Sequence, residues 1–486
     1  MSDIDNFTYT LRKAIPALPL YIRGDKDYEK ESASWNILTQ FKPKYIVKPQ
    51  SSDEVSKIIT IARDNGINKI NIRGGGHSFE GNGMGGENAD GLVIKTERLC
   101  SIEVDVAKKT AIAGTGVLLG QLLNETWKAG NLMIPTGICV SVGLGGQIGC
   151  GGYGMFNRKF GIAADHVETI EIVTPDGQVR NASPEENADL FWAALGSGTG
   201  SFGVITKCKL KLSDAPKYIA KFTYDYNLKD VDFNDVFSRM QDFSLESPID
   251  ITTMIVIWLG QLEITGVISA DTKEDFDSLI SYTQKVFDDA DKKEMLNLNY
   301  IDTMLNIGLT QTSAPWFNSV DEIADEGDTH LRFMKIKAGF IPKKLPVEFI
   351  DELRKIAFAQ KETGARIQIL SLNENSGFIN NSILGTQKKA PLLMGMSVWI
   401  ESNKNDLAGV SEATKKGVDR LTWLNEAYEI FYPYTNGGYI GDDDIDEWSH
   451  GRDLYKSYYG DNIKKLRDIK NKYDKENIFN CPMGIK

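Results

Sequence analysis

Apolar triplets, helical periodicity and glycine-rich turns follow one another in order along this chain. Tyr45-Ile46-Val47 predicts a strand. Ser51 followed by Glu54 carries a capping-box signature, and Val55, Ile58, Ile59 and Ala62 then recur at helical spacing. Asn65-Gly66 stops that helix, and Asn68 to Ile72 predicts a second strand. This β-α-β unit runs directly into Gly74-Gly75-Gly76. Leu92-Val93-Ile94 and Ala111-Ile112-Ala113 predict further strands, and Leu118, Leu119, Leu122 and Leu123 a helix. Ile170 to Thr174 and Gln178-Val179-Arg180 flank Pro175-Asp176-Gly177, which predicts a hairpin. Gly203 to Leu210 alternates as a strand does.

A boundary falls near Ser213-Asp214-Ala215-Pro216, beyond which the glycine-rich character fades. From Tyr218 to Phe431, strands alternate with helices. Met254 to Trp258, Leu331 to Ile336, Ile367 to Leu372 and Leu393 to Ile400 predict strands. Thr272 to Phe287 and Pro346 to Phe358 predict helices, the second opening on a proline that the first helical turn tolerates. Long strands with separate helices predict an α+β fold in which helices back an antiparallel sheet. The expected division is 1–212, 213–431 and a closing segment, 432–486, with Ile463, Leu466 and Ile469 on one helical face.

Composition narrows the chemistry. The chain has 486 residues, 41% hydrophobic and 25% charged, which is ordinary for a soluble globular protein. Its net charge of −12 argues against nucleic acid, whose phosphates require a clustered basic surface. Lys464, Lys465, Lys470 and Lys472 read as the solvated face of a helix. The apolar stretch Ile251 to Ile268 is broken by Gly260-Gln261 and Glu263, so it predicts two strands around a turn rather than a membrane span. The N-terminus has neither a basic nor an apolar signal region, and a cytoplasmic location is expected. Five scattered cysteines, with no CxxC pair, predict neither a disulfide framework nor a zinc site, and no metal is expected. His166, His330 and His450 show no ligand spacing. Oligomeric state is left open.

The glycines carry the functional signal. Gly74 to Gly76 by itself fits a plain tight turn as well as an anion-binding nest. The stretch from Gly137 to Gly154 is denser and follows neither helical nor strand period. It lacks the placement of a dinucleotide fingerprint, which follows the first strand of a βαβ unit and opens a helix. A backbone that hugs a ligand is the better account.

The motifs Arg73-Gly74-Gly75-Gly76-His77-Ser78, Gly137-Ile138-Cys139 with Val142-Gly143, Gly151-Gly152-Tyr153-Gly154, Phe160 to Asp165 and Ser201 to Thr206 stand in an ordered series. Tyr458 to Asn462, Tyr473-Asp474 and Asn477-Ile478-Phe479 close it. With these motifs the chain resembles the berberine bridge enzyme-like group of the vanillyl-alcohol-oxidase (PCMH-type) flavoprotein family. The resemblance implies a two-part PCMH-type FAD-binding domain and a separate substrate domain. It implies FAD attached twice, through His77 to the 8α-methyl and through Cys139 to C6. Arg73, Gly74, Gly75, Gly76, Ser78, Val142, Gly143, Gly146, Gly149, Gly152, Tyr153, Gly154, Gly203, Val204, Ile205 and Asn436 would complete the cofactor site. Tyr434 is the implied catalytic base, with Tyr432 and Tyr439 as rivals. Val142 matches a position that gates oxygen, so an oxidase releasing hydrogen peroxide is expected.

Two departures bear on the substrate. The stretch Thr386 to Pro391 lacks the group's His-Arg pair, although Trp399 is present, and Lys475 stands where the group has proline. The resemblance implies a small organic substrate, an alcohol or amine, in a secondary-metabolite tailoring step. A carbohydrate oxidase, with Trp258, Trp316 or Trp399 stacking on sugar rings, is the alternative. A flavin-binding protein without turnover is the third reading.

Overall fold

The leading β-α-β unit forms where its pattern places it. In this computed structural model, which describes residues 5–86, 90–198, 200–307, 330–359, 364–373, 389–403, 407–448 and 451–486, the strands β1 (Leu20–Ile22), β2 (Tyr45–Val47), β3 (Ile70–Arg73) and β4 (Leu92–Lys95) make a sheet of order β1-β2-β4-β3. β2, β4 and β3 run parallel. The helix Ser52–Asp64 joins β2 to β3 and buries Val55, Ile58, Ile59 and Ala62. Ser51 Oγ accepts the Glu54 N–H at 3.2 Å, but the Glu54 carboxylate accepts from the Gln50 N–H, one residue earlier than a full capping box requires.

A second sheet has β5 (Ile102–Asp105), β6 (Thr110–Gly114), β8 (Val167–Val173), β9 (Val179–Ala182) and β10 (Val204–Lys211) in the order β5-β6-β10-β8-β9. The short β7 (Leu132–Met133) pairs with β11 (Ser213–Asp214). A seven-stranded sheet follows: β12 (Tyr218–Asn227), β13 (Ile251–Trp258), β14 (Gln261–Ala270), β15 (Lys292–Leu298), β16 (His330–Ile341), β17 (Ala365–Ser371) and β18 (Leu392–Asn403). Its order is β15-β12-β14-β13-β17-β18-β16, and all its pairings are antiparallel.

The two faces of this sheet do different work. Ile255, Ile257, Ile367, Ile369 and Met394 pack with residues of the helices Phe233–Glu246, Val347–Ala359 and Leu407–Phe431. Their neighbours Met254, Val256, Val267 and Leu370 instead join the core of the N-terminal half, with Leu144 and Ile148. The strand period of two therefore turns every second residue of the sheet toward the glycine-rich loops.

The last segment returns to the first sheet. The Ile70 N–H donates to Ile478 O at 2.8 Å, and Phe479 bridges to Ile70. One basic residue there corrects the expectation of a solvated lysine face. Lys470 is buried, with Nζ donating to the Asp474 carboxylate at 2.6 Å and to the carbonyls of Ser201 and Phe479. Lys464 and Lys465 are exposed as expected. The glycine stretch is corrected too: Leu144–Cys150 is a short helix. Local propensity disfavours it, but burial of Leu144 and Ile148 in the core selects it.

Candidate functional site

Two stretches of bare backbone cross at one point. A Cβ on Gly75 would lie 2.4 Å from the Gly143 amide nitrogen, and one on Gly143 equally close to that of Gly75. Beside the crossing, His77 Nε2 and Ser141 Oγ are 3.0 Å apart. The loop carrying His77 is thus tied to the loop carrying Cys139, which precedes Ser141 by two residues. Burial, helped by the positive charges of Arg332 and Arg73, pushes the imidazole down to about 4, so His77 is neutral at neutral pH. Trp35 packs near its ring and donates Nε1–H to Gly76 O at 2.9 Å.

A cavity opens next to this crossing. Of the expected cofactor residues, Gly74, Gly146, Gly149, Gly203 and Ile205 line it. No atom lies within 4 Å of a Cβ built on Gly146. Walls of exposed main chain suit a dinucleotide whose pyrophosphate is held by N–H groups, and the residues present fit FAD. Other expected residues shape the site without lining the cavity. Arg73 donates to Ala33 O at 2.7 Å, and its guanidinium covers Gly76, whose φ is +76°. Gly152 packs against Gln147 and Gly154 against the Thr136 carbonyl, too closely for any Cβ. Val204 turns its side chain into the core. Val142 is partly buried, and its N–H donates to Cys139 O at 3.2 Å.

Ser78 belongs to a buried polar network. Its Oγ donates to the Asp443 carboxylate at 3.3 Å, and Asn82 Nδ2–H reaches the same oxygen. Nearby, Lys335 pairs with Glu80 and with Asp444 at 2.8 Å, and Lys337 pairs with Asp444 at 2.5 Å. These bonds fasten the His77 loop to the edge strand β16 and to the C-terminal segment. Burial pushes Asp443 up to about 8.

The tyrosines divide by side of the sheet. Tyr434 packs its ring 4.6 Å from Phe349, with the helix-side core, and Asn436 is exposed. Tyr432 lies beneath Arg452 at 3.8 Å. Tyr439 is on the loop side, buried against Tyr153 at 5.1 Å and Phe340 at 6.1 Å, and its hydroxyl accepts the Gly152 N–H at 3.2 Å. The Tyr153 hydroxyl is buried and has no hydrogen-bond partner among the described residues. Tyr434 and Asn436 therefore lie away from the loop side where Tyr439 stands: the chain passes around the sheet edge at β16 between residues 434 and 439. There the Asn436 N–H donates to Phe340 O, and Gly437 O accepts the Phe340 N–H.

The sheet contributes residues that the glycine motifs do not announce. Arg332 and Arg366 point toward the loops. Arg332 lies over the Trp399 ring at 5.1 Å, and burial lowers the Arg366 guanidinium against the opposing charge of Glu263. Glu263 faces Asp225 across the β12–β14 pairing, and burial, then that like charge, pushes it up to about 7. The available signal is Arg366-Ile367-Gln368-Ile369, where polar residues recur at strand period. Without the pairing partners it cannot be assigned to a site. Trp258, at the end of β13, is 42% exposed and stands opposite Arg366 in register. Trp316, His450 and residues 386–388 lie outside the described residues.

Comparison with known proteins agrees with this geometry. Residues 43–183 match the FAD binding domain family and residues 438–486 the berberine and berberine-like family. The second match begins after Tyr434 and Asn436 and includes Tyr439. Tetrahydroberberine oxidase of Berberis wilsoniae is 26% identical over 96% of this chain and 91% of its own. Chitooligosaccharide oxidase of Gibberella zeae is 24% identical over 96% and 92%. The solved structure of BBE-like 1 from Physcomitrella patens superposes with a TM-score of 0.84 at 23% identity, covering 99% of both chains. The chain thus carries an FAD binding domain and a berberine and berberine-like segment, and it is an FAD-linked oxidoreductase similar along nearly its whole length to berberine bridge enzyme-like proteins.

Proposed function

We propose that this protein is an oxidase with doubly attached FAD, bonded to His77 and Cys139, acting on an alcohol or amine carbon of a small organic molecule. The observation that carries the reading is the tie between the two anchor loops, the 3.0 Å contact of Ser141 with His77 beside the Gly75–Gly143 crossing. FAD, when bound, supplies the hydride acceptor and passes electrons to dioxygen, giving hydrogen peroxide. Val142, a short branched side chain next to Cys139, leaves room for oxygen. Tyr439 takes the place of Tyr434 as the group that removes the substrate proton. Burial holds Tyr439 well above an ordinary tyrosine, and the Gly152 N–H favours its ionised form. The neutral His77 is a ready nucleophile for its bond. Two covalent anchors fix the ring without walls on every side, which leaves the sheet face open to a bulky substrate.

A second reading, oxidation of a sugar hydroxyl to a lactone, is favoured by the exposed Trp258 ring beside Arg366, Gln368 and Glu263, an aromatic platform edged by planar hydrogen-bonding groups. Acid-precipitated protein that stays yellow, with the His77 and Cys139 peptides joined through a single flavin mass, is the expected result. A colourless pellet of unmodified mass rejects double attachment. Peroxide release on oligosaccharides against aromatic alcohols and amines separates the substrate classes. Fast reduction of a quinone dye with slow reoxidation in air rejects the oxidase assignment.

A further inference from the structure

A short segment near the N-terminus reaches the anchor histidine. Residues 33–36 lie outside both matched family regions, 43–183 and 438–486. They cross from β16, the edge strand of the large sheet, to the loop that carries His77. On the sheet side, the Arg332 N–H donates to Trp35 O at 2.8 Å, and Asn36 bridges to Arg332 in parallel. Asn36 is buried, and its amide joins sheet and loop. Its Oδ1 accepts the Met334 N–H at 3.2 Å, and its Nδ2 donates to Met334 O at 2.8 Å and to Phe79 O at 2.9 Å. On the loop side, Ala33 O accepts from Arg73 at 2.7 Å, and the Trp35 indole N–H donates to Gly76 O at 2.9 Å. That carbonyl belongs to the residue before His77. The indole ring stands 6.2 Å from the imidazole and 5.8 Å from Phe79, both within the range of aromatic contacts. His77 therefore has the indole beside its ring and Ser141 Oγ at Nε2, 3.0 Å away.

We propose that Trp35 is a positioning residue for flavin attachment at His77, with Asn36 as the pin that holds it in place. The indole shields the imidazole from water on one side. Its N–H fixes the peptide that leads into His77, at a glycine whose φ of +76° the backbone alone does not enforce. The ring is thereby kept in the orientation that its contact with Ser141 requires. The inference rests on the attachment at His77 proposed above. In that step a ring nitrogen supplies the electron pair of the new N–C bond. The 8α carbon gives up one hydrogen and the imidazole its N–H, both as protons, and two electrons remain on the flavin. Dioxygen takes those two electrons and two protons and leaves as hydrogen peroxide. Nothing in the step activates His77 further, so its rate depends on reach and angle.

The test uses the full-length chain made in riboflavin-starved cells and then given FAD, with the His77 and Cys139 peptides followed by mass over time. In Trp35→Ala the bond to His77 slows about tenfold to hundredfold, the upper figure being what a misplacement of about 1 Å can cost. Trp35→Phe, which keeps a ring beside His77 without the N–H, loses less. The bond to Cys139, followed in a His77→Ala background, forms at one rate with and without Trp35→Ala, which shows an intact site. Diethyl pyrocarbonate, which labels accessible neutral imidazoles, reads the cover in the absence of flavin. Labelling of His77 at neutral pH rises severalfold in Trp35→Ala and stays near the parent level in Trp35→Phe. A parent rate at His77 together with parent labelling in Trp35→Ala overturns the proposal. Equal slowing of the Cys139 bond also overturns it, because that marks a general loosening of the fold. If the parent carries no flavin on His77, attachment itself fails. The labelling then still decides whether Trp35 covers the ring: an unchanged level in Trp35→Ala rejects it, and an increase upholds it.

Discussion

One methyl group separates two kinds of glycine at this site. Gly143 has backbone where a Cβ would go, whereas Gly146 has open space. Gly143→Ala forces the crossing loops apart, and a loss of about 1–3 kcal/mol is expected from overpacking, visible as a lowered melting temperature. Gly146→Ala leaves melting of the FAD-free protein unchanged and weakens FAD retention, measured by flavin released on gel filtration of a His77→Ala, Cys139→Ala background. The tyrosines are separable in the same way. Tyr439→Phe is expected to lower turnover about 10²–10⁴-fold, the usual contribution of a positioned acid–base group, and Tyr434→Phe to leave it near the parent value. Because burial raises Tyr439, its ionised form grows with pH, so turnover climbs toward alkaline pH in the parent and this dependence disappears in Tyr439→Phe. The motif spelling Tyr434-Thr435-Asn436 resembled the family element, but a short-range pattern cannot report which side of a sheet the chain has reached.

At the scale of elements, amphipathic periods were readable and burial of single charges was not. The helix Ser52–Asp64, the hairpin of β8 and β9 and the strands β13 and β14 follow from spacing and turn chemistry alone. The helix Ile463–Tyr473 was readable from Ile463, Leu466 and Ile469, yet Lys470 escaped, because its burial depends on carbonyls from Ser201 and Phe479. Lys470→Met leaves Asp474 without its cation while that carboxylate still accepts from the Ile478 and Phe479 N–H groups. Breaking such a pair costs about 3–5 kcal/mol. The expected readouts are a lower denaturation midpoint and faster proteolysis of the C-terminal segment. An unchanged midpoint would show that the pair is dispensable.

For the whole molecule, buried ionisable groups set the pH range of stability. Asp443, raised to about 8, and Glu263, raised to about 7, bind protons more tightly folded than unfolded. Their contribution is fully present below ordinary carboxylate values and is lost as pH rises through 7 and 8. Melting temperature is therefore expected to fall over that interval, and Asp443→Asn, which keeps an acceptor for Ser78 and Asn82, to flatten the fall. His77 acts in the opposite direction in FAD-free protein. Its lowered value near 4 gives stability that is present above the unfolded histidine value and lost on acidification toward 4. His77→Ala removes that acid-side slope. Among the described residues no helix is long and apolar enough to cross a membrane.

The sequence by itself determined the glycine loops, the residues His77 and Cys139 within them, the parallel unit at the start and the helix-backed sheet that follows. These are local properties: backbone freedom, period and turn chemistry act over a few residues. Tertiary structure alone decided that Gly75 meets Gly143, that Tyr439 rather than Tyr434 stands on the loop side, and that Arg332 and Arg366 share the face of the sheet opposite the helices. Those relations depend on strand order and register. Pairing β17 with β13 and β18 is fixed by packing over the whole sheet, and a shift of one residue would have turned Arg366 to the helices.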